Sequence, residues 1–368
     1  MLGFIFYTEG SKFNEVYPME LHELLSQIQP ASKTAEAACL QRWDLVAKPL
    51  NSLGKLETLL ARAAAVTGDP DPDLQKKCVL VFCADNGILA QGVAQSTHEV
   101  TTAIGRSLAA GTTSVNAMAK AAGADVFPVD MGMIDTVDGL LNRKQACGTA
   151  DFSQGPAMTR EQAEAAILTG IELVREKKDA GYNLIATGEV GIGNTTTSSA
   201  MAAVLLDLPV ETVTGRGSGL SNEGLWKKQN AIRDGISVNR PDPLDPIDVL
   251  SKVGGFDIAA MTGAFLGGAL YHIPVIIDGL ISSVAALCAA RICPLVKEYL
   301  ISSHMTAEPA GKMILAELDL SPMLHGDLRL GEGTGAVALF PMLDMACAVY
   351  RNAASFAGIQ VEAYTKQS

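Results

Sequence analysis

The sequence is short of charge, of aromatic residues and of any cysteine pattern. Charged residues make up 18% of the 368 positions and aromatic residues 5%, whereas 48% are hydrophobic. The 40 acidic residues outnumber the 28 basic ones, and the net charge of −12 argues against nucleic acid as a partner. Length and hydrophobic content together indicate a globular protein with one large domain or two.

Long apolar runs and metal-ligand patterns are also missing. No apolar stretch reaches the roughly 18 residues that a membrane-spanning helix needs, so we expect no membrane contact. The seven cysteines are scattered without a C-x-x-C pair, and the five histidines show no ligand spacing. This pattern predicts reduced thiols, a cytoplasmic location and no structural metal.

Short apolar runs typical of buried strands alternate with helical patterns along most of the chain. The predicted strands cover 78–84, 125–130, 183–187, 273–277 and 299–302. A helix is predicted over 104–121, and Thr159 with Gln162 has the capping-box spacing that opens another. This alternation predicts a doubly wound α/β fold with a mainly parallel sheet and a smaller helical subdomain.

The chain is divided at changes in this pattern. Residues 1–18 are predicted to be an extension outside the fold, because an ordinary helical pattern begins only at Met19. Residues 19–70 are helical and form part of the small subdomain. The α/β catalytic domain spans 71–335, and 336–368 form a C-terminal helix that packs on the small subdomain.

Three loops with alternating glycines, at 188–194, 215–219 and 331–335, fall where predicted strands end and helices begin. Backbone N–H groups in such loops bind phosphate, and ligands bind at this edge of open α/β sheets. Neither the P-loop nor the dinucleotide fingerprint is matched. Glu332, with a glycine on each side, either caps the following helix or performs acid–base chemistry.

Three further polar residues have two interpretations each. Lys228 either shares a solvated helix face with Lys227 or pairs with a phosphate. His304 is either a structural histidine or a ligand contact, and Asp278 at a strand end holds either a sugar hydroxyl or a loop amide. The residues alone therefore indicate an α/β enzyme that uses carboxylates on a phosphorylated, sugar-like substrate.

Seven separated motifs carry a resemblance to a known family. They are ADNG at 84–87, GEVGIGNTT at 188–196, GRGSGL at 215–220, VGGFD at 253–257, IPVIIDG at 273–279, SHMTAE at 303–308 and LRLGEGTGA at 328–336. In this order they resemble the nicotinate-nucleotide:dimethylbenzimidazole phosphoribosyltransferases, from about residue 19 to the C-terminal helix. That family makes the α-ribotide used for the lower ligand of cobamides.

The resemblance implies a reaction and its catalytic residues. The phosphoribosyl group of nicotinate mononucleotide would pass to an aromatic lower-ligand base, a benzimidazole or a relative, with release of nicotinate and inversion at C1′. Glu332 matches the family's catalytic base, and Glu189 would stabilise the oxocarbenium-like charge or hold the ribose. The family needs no metal or organic cofactor, and it implies a dimer.

The resemblance also implies binding residues. The nucleotide would be held by Lys228, Gly191, Gly193, Asn194, Gly217, Asp278, Gly279, Thr306, Leu330, Gly331 and Gly333. The lower-ligand pocket would be lined by Asn86, Ser96 and Ala103.

Two departures from the family pattern keep alternatives open. Asn86 stands where many relatives have histidine, and Ala103 with Ile104 occupies a stretch that is often polar. A less polar pocket also fits a member that activates phenol or p-cresol, or a partner subunit paired with a paralogous chain. An oxidoreductase that uses a dinucleotide is disfavoured because the fingerprint is missing.

Overall fold

The computed structural model of the chain describes residues 17–365. Six strands lie within this part: β1 Lys77–Ala84, β2 Ala124–Gly132, β3 Leu141–Asn142, β4 Leu184–Val190, β5 Val275–Ile277 and β6 Leu300–Ser302. The helices are α1 Tyr17–Leu25, α2 Lys33–Leu45, α3 Lys55–Thr67, α4 His98–Ala109, α5 Ser114–Ala121, α6 Arg160–Asp179, α7 Asn194–Leu205, α8 Val210–Val213, α9 Asn222–Asn239, α10 Pro246–Val253, α11 Phe256–Tyr271, α12 Leu280–Ile292, α13 Pro309–Glu317 and α14 Thr334–Asn352. Residues 1–16 of the predicted extension lie outside the described part.

The strands form one sheet in the order β3-β2-β1-β4-β5-β6, and every pairing between them is parallel. The prediction of an α/β fold with a mainly parallel sheet is confirmed. The strand order reverses between β1 and β4, so the connections that leave these two strands run in opposite directions. Such a switch point opens a crevice at the carboxyl ends of the strands.

The central strand β1 is buried on both faces, which explains its continuous apolar run. Cys78, Leu80 and Phe82 face a core that includes residues of α6 and α11. Val79 and Val81, on the opposite face, pack with residues of α3 and α14. Helices therefore cover both faces of the sheet.

The helices α2, α3 and α14 form one packed layer on the second face. The rings of Trp43 and Tyr350 lie 5.0 Å apart, and Val46 forms an antiparallel bridge with Ser355 just beyond α14. The assignment of 19–70 and 336–368 to a small subdomain stays a prediction. Within residues 17–365, no helix is both long and apolar enough to cross a bilayer.

The predicted helix over 104–121 is wrong, because the chain breaks between α4 and α5. Gly111 has a φ of +74°, a conformation that ends a helix, and Thr113 then caps α5 through a capping box with Asn116. The glycine and the cap outweigh the continuous Ala- and Met-rich pattern. The break creates a helix N-terminus that reaches the candidate site.

Candidate active site

A cavity at the carboxyl ends of β4, β5 and β6 brings the three predicted glycine loops together. Residues of 189–195, 216–220 and 328–334 line it, with contributions from 279–282 and 304–308. Of the three loops, only 188–194 connects a strand to a helix, β4 to α7, at the edge where the carboxyl ends of the parallel strands meet. The 215–219 loop connects α8 to α9 and the 331–335 loop follows α13, so the prediction that all three follow strands is wrong for these two.

Glu332 lies in the cavity wall in an unusual backbone conformation. Its φ is +61°, and its neighbours Gly331 and Gly333 have φ values of +88° and +90°. Three successive residues in the left-handed region turn the chain sharply before α14, and glycine adopts that region without a Cβ clash. Gly333, not Glu332, is the N-cap residue of α14. The carboxylate of Glu332 is therefore free of the capping role on its own helix.

The carboxylate of Glu332 instead meets another helix. Its Oε2 accepts a hydrogen bond from the backbone N–H of Val115, at 3.4 Å, in the first turn of α5. Burial raises the pKa of Glu332, and hydrogen bonds from Val115 and the Thr113 hydroxyl offset part of that rise. A half-buried carboxylate with a raised pKa accepts a proton more readily near neutral pH.

Glu189, at the end of β4, is the second carboxylate of the cavity. The Asn194 side-chain amide donates to Glu189 Oε2 and also to Asp257 Oδ2, the latter at 3.1 Å. Burial, and then the charge of Asp257, hold the pKa of Glu189 well above its usual range. Burial raises the pKa of Asp257 to about 6. A Cβ on Gly331 would lie 2.5 Å from Glu189 Oε1, so glycine lets the Glu332 loop close against Glu189.

Lys228 is fully buried, so its interpretation as part of a solvated face is wrong. Its Nζ donates to Thr195 Oγ1 at 2.8 Å and to the Gly215 carbonyl at 3.2 Å. Burial lowers the pKa of Lys228 to about 8. Lys227 is half-exposed and pairs with Glu223 on the outside of α9. Lys228 thus places a positive charge directly behind two of the loops.

Asp278 holds loop amides, which was one of its two predicted roles. Its carboxylate accepts the N–H groups of Gly333 at 3.2 Å and Ala336 at 3.0 Å, at the start of α14. Burial raises the pKa of Asp278 to about 6. Asp278 is absent from the described residues that line the cavity. It supports the Glu332 loop from outside the cavity wall, and its predicted contact with the nucleotide stays a prediction.

His304 lines the cavity and is also packed into the structure. Its Nδ1 lies 3.0 Å from Ser303 Oγ, and a Cβ on Gly335 would lie 2.0 Å from the same nitrogen. Burial lowers the pKa of His304, which favours the neutral ring.

Most predicted site residues meet at the cavity. The wall contains Glu189, Gly191, Gly193, Asn194, Gly217, Gly279, Thr306, Leu330, Gly331 and Glu332. Lys228, Asp278 and Gly333 lie one contact behind it. Within the described residues, no cluster of histidine, cysteine and carboxylate side chains could hold a metal ion.

The three residues that were predicted to line the lower-ligand pocket lie outside the cavity wall. Asn86 is buried beneath the 191–193 loop, Ser96 is half-buried and Ala103 is exposed, and none of the three lines the cavity. Val93, Ala94 and Ile104 line it instead. Successive residues on a helix point about 100° apart, so on α4 the inward position belongs to Ile104 rather than Ala103.

Sequence reasoning did not select seven polar residues of the wall. They are Thr195, Arg216, Ser218, Ser282, Glu308, Arg329 and Thr334. All except Ser282 lie within or at the end of the seven motifs, so most of the signal was present. Which side chains of a loop point inward depends on backbone turns that a motif does not specify.

Comparisons with known proteins agree with this geometry. A family model described as a phosphoribosyltransferase matches residues 28–361. The nicotinate-nucleotide–dimethylbenzimidazole phosphoribosyltransferases of Ruminiclostridium cellulolyticum and Clostridium acetobutylicum are each 44% identical over 94% of this chain and 99% of their own length.

Solved structures give the same result. The crystal structure of CobT from Thermus thermophilus matches with a TM-score of 0.85 at 38% identity, covering 89% of this chain and 99% of that one. The sequence and fold comparisons thus agree. The chain belongs to the nicotinate-nucleotide–dimethylbenzimidazole phosphoribosyltransferase family.

Proposed function

We propose that this chain transfers the phosphoribosyl group of nicotinate mononucleotide to dimethylbenzimidazole or a related base. The products are nicotinate and an α-ribotide. The observation that carries this proposal is the Glu332 carboxylate, which lines the cavity on a sharply turned loop and has a raised pKa. It is an acceptor suited to the acidic N–H proton of an aromatic base.

In the proposed reaction, Glu332 removes the N–H proton of the incoming base. The freed nitrogen lone pair attacks C1′ from the face opposite nicotinate and forms the new N–C1′ bond. The bond from C1′ to the pyridinium nitrogen breaks, and its electron pair leaves with nicotinate as a neutral pyridine ring. Attack from the opposite face inverts C1′ from β to α, and the proton remains on Glu332.

Glu189 suits the stabilisation of positive charge at C1′. The transition state resembles an oxocarbenium ion. Although burial raises the pKa of Glu189, the cationic pyridinium of the bound nucleotide and the charge developing at C1′ favour its ionised form, and a fixed carboxylate there lowers the free energy of the transition state. Asn194 holds one oxygen of Glu189, while Oε1 faces the Gly331 side of the cavity. A fixed position is useful because the charge then needs no reorganisation during the reaction.

The phosphate of the nucleotide fits beside Lys228. The 215–219 loop and Thr195 stand between the Lys228 ammonium and the cavity, and Gly217 lies within reach of Nζ. Backbone N–H groups and one buried cation suit a phosphate dianion within an otherwise acidic protein.

The base would enter between the glycine loops and the apolar patch of Val93, Ala94 and Ile104. We propose dimethylbenzimidazole as the acceptor because the relatives carry that base in their names. All seven cysteines are free, which suits the predicted cytoplasmic location. Dimerisation, with a second copy or a paralogue, stays a prediction.

The test is nicotinate release from nicotinate mononucleotide by the purified chain. Dimethylbenzimidazole, adenine, phenol and p-cresol are offered in parallel, and products are identified by mass. We expect release that depends on the benzimidazole. Turnover with phenolics alone would overturn the proposed acceptor. A folded chain that binds the nucleotide but releases no nicotinate with any acceptor would overturn the proposed reaction.

A further inference from the structure

Glu308 lines the cavity, where its negative charge favours the protonated form of the buried Lys228. It is the N-cap residue of α13, yet its side chain makes no capping hydrogen bond, and Pro309 follows it. Among the described residues its Oε2 is buried and has no hydrogen-bond partner. A buried carboxylate oxygen without a donor costs free energy, so its presence calls for an explanation.

The position of Glu308 is set by Gly215. A Cβ on Gly215 would lie 1.8 Å from Glu308 Oε2, so only glycine leaves room for this carboxylate. The carbonyl of the same glycine accepts the Lys228 ammonium at 3.2 Å. Glu308 therefore lies at the end of the cavity where the proposed function puts the phosphate.

The chemistry of the nucleotide limits what this carboxylate can contact. The phosphate and the nicotinate carboxylate of the nucleotide are both anionic, so the Glu308 carboxylate repels both of them. The ribose 2′ and 3′ hydroxyls are hydrogen-bond donors, and the sugar is next to the phosphate because C5′ links them. A carboxylate that accepts a ribose hydroxyl is an established way to recognise nucleotides in parallel α/β sheets.

We infer that Glu308 accepts a hydrogen bond from a ribose hydroxyl of the nucleotide and selects ribonucleotides against deoxyribonucleotides. This inference rests on the proposed function, because it takes nicotinate mononucleotide as the ligand. It adds a specificity-determining residue that is distinct from Glu332 and Glu189.

The experiment compares nicotinate mononucleotide with its 2′-deoxy and 3′-deoxy analogues. Both kcat/KM and the dissociation constant are measured for the wild type, Glu308→Ala and Glu308→Gln. A hydrogen bond to a charged group predicts that the wild type prefers the ribonucleotide by roughly 10- to 100-fold over one of the analogues. Glu308→Ala should lose that preference, because the substitution weakens binding of the ribonucleotide and leaves binding of that deoxy analogue nearly unchanged. Glu308→Gln, whose amide oxygen still accepts, should keep part of it.

Glu317→Ala is the matched control, since Glu317 lies on the same helix and pairs with Arg291. It should leave the preference unchanged, and thermal melts should show that all variants fold. An equal loss for all three nucleotides in Glu308→Ala would overturn the inference. If the wild type releases no nicotinate, the proposed function fails, and the ratio of dissociation constants alone decides on Glu308. A ratio unaffected by Glu308→Ala, or no nucleotide binding, would then overturn the inference.

Discussion

Glu332 has a left-handed backbone conformation, with a φ of +61°, that is unfavourable for a residue with a Cβ. Such a conformation costs roughly 1–2 kcal/mol per residue. The glycines on either side accept the same region at little cost, and the Asp278 carboxylate anchors the end of the turn. The strain is therefore concentrated in the residue that we propose as the base, whose carboxylate lines the cavity.

Glu332→Gln tests that role directly. The variant keeps the shape of the side chain but removes the proton acceptor, so kcat should fall by at least about 100-fold. The dissociation constant of the nucleotide should change little, because the proposed phosphate contacts lie elsewhere. Steady-state kinetics and calorimetry give the two values. A variant that keeps most of its turnover would show that another group takes the proton.

Lys228 and Lys227 are adjacent lysines, one buried behind the 215–219 loop and one on the surface, so substituting each in turn separates the effect of position from that of charge. Lys228→Ala should mainly raise the KM for the nucleotide, since Lys228 is buried behind the phosphate loop. Lys227→Ala should have little effect, because Lys227 is half-exposed and pairs with Glu223. Equal effects of the two substitutions would contradict the assignment.

The same lysine predicts a pH dependence of binding. Burial lowers the pKa of Lys228 to about 8, and only its protonated form attracts a phosphate. Nucleotide affinity should therefore weaken as the pH rises through about 8. Calorimetry across this range provides the measurement, and in Lys228→Ala the dependence should largely disappear. Affinity that stays constant in the wild type would contradict a phosphate contact.

At the scale of elements, the N-terminus of α5 is the least expected part of the site. The positive end of a helix favours an anion, and the Val115 N–H there donates to Glu332 Oε2. The Thr113 hydroxyl both caps α5 and stabilises the ionised form of Glu332. The break between α4 and α5 thus moderates the pKa of the proposed base.

Thr113→Ala should act on stability and on catalysis together. Loss of the cap should cost about 1 kcal/mol of unfolding free energy. Loss of the hydroxyl hydrogen bond should raise the pKa of Glu332, so the acid limb of the kcat/KM profile should move to higher pH. Urea unfolding and pH-dependent kinetics measure the two effects.

Thr159→Ala is the control for this prediction. Thr159 caps α6 through the same kind of capping box, with Gln162, but lies outside the cavity wall. Its loss should cost similar stability and leave the pH profile in place. A profile that moves equally in both variants would show that the change follows from lower stability alone.

At the scale of the whole molecule, the candidate site concentrates buried carboxyl groups in a protein of net charge −12. Burial raises the pKa values of Asp257 and Asp278 to about 6, well above the ordinary value of an aspartate in an unfolded chain. The folded state therefore binds more protons than the unfolded state between these two values. The protons that Asp257 and Asp278 bind in the folded state stabilise it at low pH, and this stabilisation is lost as the pH rises through about 6.

The unfolding free energy should consequently fall between about pH 5 and about pH 7.5, by on the order of 1 kcal/mol for each of the two groups. His304 acts in the opposite direction, because burial lowers its pKa, and Glu189 acts in the same direction as the two aspartates. Urea unfolding at the two pH values provides the measurement. Stability that is constant or rises over this range would contradict the predicted protonation of the site.

Local patterns in the sequence determined much of this protein. Continuous apolar runs identified five of the six described strands, because a strand buried on both faces is mostly apolar, but they missed β3, whose two residues are exposed. The 188–194 loop could be placed because a chain that leaves a parallel strand and enters a helix must turn sharply, whereas the other two glycine loops connect helices and do not follow strands as predicted. The Thr159 capping box was also correct, since its contacts span only three residues. The motif at 328–336 predicted the loop around Glu332, because its glycines are also neighbours in the sequence.

Tertiary structure decided what depends on residues far apart in the sequence. Val115 and Glu332 are 217 positions apart, so their hydrogen bond had no local signal. The burial of Lys228 depends on the 215–219 loop folding over α9, and its exposed neighbour Lys227 has the same charge. The inward position of Ile104 depends on how α4 docks against the site. Neighbouring residues determine turns and periodicity, whereas burial, side-chain partners and pKa values depend on long-range packing.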